Sequence, residues 1–169
     1  MANTIETTDE KTSKIRWDLS ILYSDIADPR LDSDLASLTA MARQFSLAYK
    51  GKLAERLDGA IRDYLEIEML SGKLASYLFL RETTDLANAA IKAKHAAFQR
   101  EMSAVRGEHL TFFELELVQL SDDTLKTFYD NHPLVAKHRP WIDHVRTFKP
   151  HFLIEPVEAA LTKRSPFDS

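Results

Sequence analysis

The chain has 169 residues, of which 44% are apolar, enough for one ordinary domain with a real core and too many for global disorder. Its net charge is −4, its 22 basic residues are scattered, and it has no cysteine. Disulfide and thiol chemistry are excluded, a nucleic-acid-binding face is disfavoured, and the absence of cysteine fits a cytoplasmic protein.

The N-terminus, "MANTIETTDEKTSK", is polar and lacks the apolar core of a signal peptide. Residues 1–14 are expected to be a flexible tail, with a helical unit over 15–169. No run approaches the roughly 18 apolar residues that span a bilayer, so no membrane contact is expected. Four glycines are too few for the turns of an all-β fold.

The first clear element follows Asp28, a helix cap, and Pro29, suited to the first helical position. Leu31, Leu35, Leu38, Ala42, Phe45 and Tyr49 then form one apolar stripe, and Gly51 is a stop signal. A second helix is predicted from about Leu53 to Arg81. Leu57, Ile61 and Tyr64 share one face, and Ile67, Leu70, Leu74 and Tyr77 share another. Leu65, Met69, Leu78 and Leu80 widen the apolar girth, so coverage on more than one side is expected. Gly72 and Ser76, four apart, suggest close approach of a neighbouring helix.

Thr84 or Asp85 can cap a third helix, predicted over 85–120 with Gly107 as its weak point and the site of any kink. Within it, "HLTFFELELVQL" has both strand alternation and helical spacing. A strand there needs a turn signal that is missing, so the helix is preferred. Apolar residues of "FFELEL" lie on two faces, as if awaiting another surface. Ser121 then caps a short helix, with Asp122 and Asp123 at its positive end. Pro133 marks another start, Pro140 a further start or a kink, and "EPVEAALTKR" a last short helix. The fold class is all-α, with long antiparallel helices and short helices at the C-terminal end.

The residues offer little catalytic material. The six histidines, 95, 109, 132, 138, 144 and 151, include no "HExxH". His132, His138 and His144 would stand about 120° apart on a continuous helix, and Pro133 and Pro140 interrupt it. Glu114 and Glu116, like Glu66 and Glu68, would point about 160° apart. They are read as solvated or partner-facing charge. Ser76 beside Tyr77 reads as a packing point, and Trp17 and Trp141 as core or interface anchors. "GxSxG", "GxGxxG" and the Walker loop are absent. No catalytic, cofactor-binding or metal-ligating residue is assigned. Were the domain an unfamiliar enzyme, His95, Glu108 and His109 would be the first suspects.

Five segments in order resemble the N-terminal region of oligoendopeptidase F-type zinc metallopeptidases, within the thimet oligopeptidase family. They are "RWDLSILY" (16–23), "YKGKL" (49–53), "LSGKLASYLFLRETTD" (70–85), "LTFFELELVQLSDDTL" (110–125) and "HRPWIDHVRTFKPHFLIEPVEAAL" (138–161). The resemblance implies a helical lobe that walls a peptide channel, in an enzyme that cleaves short peptides. It places the zinc site, "HExxH" and a later glutamate, in a downstream catalytic domain, and none of those ligands maps onto this chain. The family continues past the last segment, so the chain is expected to be a fragment or truncated product without activity by itself. The expected partners are the missing catalytic domain, or self-association through apolar helix faces, with peptide substrate in the full enzyme. A stand-alone interaction or scaffold domain is the alternative.

Overall fold

The first helix begins where Asp28 and Pro29 place it. Asp28 accepts from the Arg30 backbone N–H at 2.9 Å and also holds the Ser24 N–H at 2.8 Å, tying the preceding segment to the helix. The Arg30 guanidinium, and then these backbone N–H groups, hold the Asp28 carboxyl well below the usual carboxylate range. The computed structural model describes residues 18–148 and 155–164. Trp17, His151 and the predicted tail over 1–14 lie outside the described residues.

In chain order the helices are α1 (Pro29–Tyr49), α2 (Leu53–Thr84), α3 (Ala89–Val105), α4 (Thr111–Gln119), α5 (Asp122–Asn131), α6 (Pro133–Lys137), α7 (Arg139–Thr147) and α8 (Glu155–Arg164). A π-helical turn, Arg106–Leu110, joins α3 to α4 without a break. The fold is all-α, and no strand occurs among the described residues.

Side-chain pairs give the directions of the three long elements. Between α1 and α2, Tyr49 bonds to Asp63 and Lys73 to Asp34, so numbers rise on one helix as they fall on the other. Between α2 and α3–π, Glu82 meets His95 and Glu68 meets Arg106, again antiparallel. Between α1 and α3 the pairs are Asp32 with Lys94 and Thr39 with Glu101, a constant offset, so those two run parallel. Three elements connected in sequence by short links must alternate in this way.

The core follows the predicted stripes. Leu31, Leu38, Ala42, Phe45 and Tyr49 of α1 are buried, as are Leu57, Ile61, Ile67, Leu74, Tyr77 and Leu78 of α2. Gly51 turns the chain at φ +74°, a conformation that favours glycine, and its N–H donates to Glu116 Oε1 at 2.7 Å. The short α5 and α6 pack near the start of α2, where His132 approaches Asp58 at 3.6 Å. Ser121 caps α5 through the Thr124 N–H, and Pro140 lies in the first turn of α7, a start rather than a kink.

Four sequence expectations are corrected. α2 runs on to Thr84, so α3 begins at Ala89, not at Asp85. Its cap is Asn88, whose side chain accepts from Ala90 and Ile91 N–H, rather than Thr84 or Asp85. No close helix approach occurs at Gly72 and Ser76. Both are exposed, and a Cβ on Gly72 would meet nothing within 4 Å. α2 is covered on more than one side, as expected, by α1, α3, α5 and α6, while Met69 stays 75% exposed and Phe79 57%. The "FFELEL" faces, by contrast, are covered from within the chain. Phe112, Phe113, Leu117 and Val118 are all buried.

Gly72 therefore carries the helix cost of glycine with no packing return. Gly72→Ala should raise stability by about 1 kcal/mol, or roughly 2–4 °C in Tm. Thermal unfolding followed by circular dichroism checks this, and an unchanged or lowered Tm would refute it.

Candidate functional site

A pocket lies where the π turn meets α2, α4 and α8. It has a volume of about 220 Å³ and is lined by Tyr64, Arg106, Leu110, Thr111, Glu114 and Glu158, among others. Helical spacing brings these residues together. Tyr64 and Glu68 are four apart on α2, and Glu158 and Thr162 are four apart on α8. The π turn inserts the extra residue that places Arg106 and Glu114 on one side, and the Thr111 hydroxyl donates to the Arg106 carbonyl at 3.1 Å.

Charge in the pocket is unevenly matched. Arg106 Nη2 donates to both carboxylate oxygens of Glu68 at 3.0 Å. Glu114 faces the same Arg106 but also Glu68 and Glu158. Burial first, and then these two carboxylates, push its carboxyl above the ordinary range, against the pull of Arg106. Burial also pushes the Tyr64 phenol up, with Glu68 and Glu114 adding to it. The pocket sets a half-buried carboxyl group beside one guanidinium and other carboxylates. It presents no nucleophile beside a base.

The other sequence candidates are dispersed. Glu114 and Glu116 do point apart, Glu116 to the Gly51 N–H and Glu114 into the pocket. Glu114 is half-buried in that pocket. His95 is buried, and its Nδ1 pairs with Glu82 rather than with His109 or Glu108. His109 stands 3.8 Å from Glu108, and Glu108 stands 3.9 Å from Lys163 of α8. His138 Nδ1 is 2.8 Å from the Leu134 carbonyl, and His144 packs edge-on to Phe148. Ser76 is exposed, whereas Trp141 stacks with Tyr64 and Phe113 in the aromatic core.

Zinc is the metal that the resemblance brings to mind, and these donors do not fit it. Among the described residues no three His, Asp or Glu side chains converge on one point. Sequence reasoning missed the pocket because its members come from α2, the π turn, α4 and α8. Only the turn-spaced pairs were visible in advance.

The fold and this site define an all-α domain whose polar pocket holds charge but no hydrolytic constellation. Residues 116–169 match the peptidase M3 N-terminal family model described as Oligopeptidase F. This stretch includes α5–α8, and the match is consistent with the resemblance seen in the sequence. Comparisons with curated proteins and with solved structures gave no match. Among the described residues no helix is long and apolar enough to cross a membrane.

Proposed function

We propose that this chain is the N-terminal helical domain of a cytoplasmic oligoendopeptidase F-like zinc metalloendopeptidase, forming part of its substrate-channel wall and inactive alone. The observation that carries this reading is the family match over residues 116–169. The packing agrees with a wall: long antiparallel helices, fixed by an aromatic core, make a stiff element. Zinc and the catalytic residues would belong to another part of the enzyme.

The test is direct. The purified chain should hold no stoichiometric zinc by elemental analysis and should not cleave a fluorogenic peptide, with or without added zinc. Tight one-to-one zinc, or turnover that co-purifies with the chain, would overturn the reading.

A second reading, a stand-alone interaction domain, is favoured by one observation. Met69, Phe79 and Leu80 are large apolar side chains left exposed in a stripe of separate positions along α2. In the channel-wall reading this stripe meets the catalytic lobe, or a second copy when the chain is alone.

A further inference from the structure

We propose that a crevice between α1 and α3 binds a compact apolar amine, a single ring or branched chain with an ammonium group beside it. The inference stands apart from the proposed enzymatic role and from the pocket at the π turn.

The arrangement of the long helices carries it. α1 and α3 run parallel, and both pack on α2 more extensively than on each other. Two polar links tie them, Asp32 to Lys94 and Thr39 to Glu101, seven residues apart on each helix. Seven residues make about two turns, so the links stand roughly 10 Å apart. Between them lies a crevice of about 170 Å³. Leu74 and Leu78 of α2 line it, together with Leu35 of α1 and Phe98 of α3. Ala97, at an exposed position of α3, leaves the mouth open where a longer side chain would close it.

The lining sets the class of ligand. An apolar cavity of about 150 Å³ takes up a benzene ring, so one ring or a branched chain of that size matches the space. Leu74, Leu78 and Phe98 are buried and have no polar side-chain atom to offer. The inner part of the occupant must therefore be apolar, since a polar group there would be left without a hydrogen bond.

The rim sets the charge. At one end Lys94 is paired with Asp32. At the other, Glu101 accepts a hydrogen bond from the Thr39 hydroxyl at 3.4 Å, and among the described residues no cation pairs with it. Its carboxylate is open to an ammonium at the end of the crevice away from Lys94. An anionic ligand would meet Glu101 as a like charge.

Titration of the full chain with phenethylamine tests this, followed by the NMR signals of Leu35, Leu74, Leu78 and Phe98. Those signals should shift together and saturably. Phenylacetate, with the opposite charge on a similar body, should bind more weakly. Glu101→Gln should weaken phenethylamine binding about two- to fivefold, the share of an exposed ion pair, and leave binding of neutral benzyl alcohol unchanged. Ala97→Leu, a change at an exposed helix position, should fill the mouth and abolish the shifts, with circular dichroism showing the fold intact. Absence of saturable shifts, phenylacetate binding as tightly as phenethylamine, or unchanged affinity in either variant would each overturn the proposal. So would tighter binding of a peptide that begins with phenylalanine, which would give the crevice to peptide chain ends instead.

Discussion

Phe113→Ala is expected to cost about 3–5 kcal/mol, the largest loss of any single truncation in the chain. Phe113 is fully buried, and its ring sits 4.6 Å from Tyr64, 5.2 Å from Phe45 and 6.1 Å from Trp141. It therefore joins α4 to α2, α1 and α7 at one point. Truncation would remove aromatic contacts on three sides and leave a cavity that stiff helices cannot collapse to fill. Phe113→Leu keeps most of the volume and should cost less than about 1.5 kcal/mol. Denaturant unfolding measures both, with an unchanged slope taken as proof that the unfolded reference is the same. A loss below about 1.5 kcal/mol for the alanine variant would show that the cluster is not the keystone of the fold.

Phe113 also shows how far the sequence could be read. In "FFELEL" its helical spacing with Leu110 and Leu117 competed with strand alternation, and the missing turn signal decided for the helix. That reasoning was local and succeeded. The caps at Asp28 and Ser121, the stop at Gly51 and the starts at Pro133 and Pro140 were local in the same sense. The misses share another cause. Asn88 caps α3 because α2 continues three residues past Arg81 to Thr84, and propensity fixes helix ends weakly. Gly72 and Ser76 looked like a packing notch, but spacing within one helix cannot say which side a neighbour occupies. Glu114 read as surface charge because its surroundings come from Tyr64, Glu68 and Glu158, far apart in the chain. The pocket was invisible for that reason.

Gly107 supplies the second large effect, and it is sharpest beside Gly72. Both glycines lie inside helical segments, and helix propensity alone would have alanine stabilise either site by about 1 kcal/mol. The structure predicts opposite signs. A Cβ on Gly107 would stand 2.6 Å from Lys163 Cγ and 2.7 Å from the Ala159 carbonyl oxygen. The lysine side chain can swing aside, but the carbonyl is backbone and moves only if α8 moves. Gly107→Ala should therefore cost about 1–3 kcal/mol net, concentrated in α8. Exchange protection of residues 155–164 should fall at every pH, while the α1–α2 core keeps its protection. A Gly107→Ala variant that gained stability, as Gly72→Ala should, would mean that α8 does not sit on the π turn. The seam and the pocket built on it would then both be wrong.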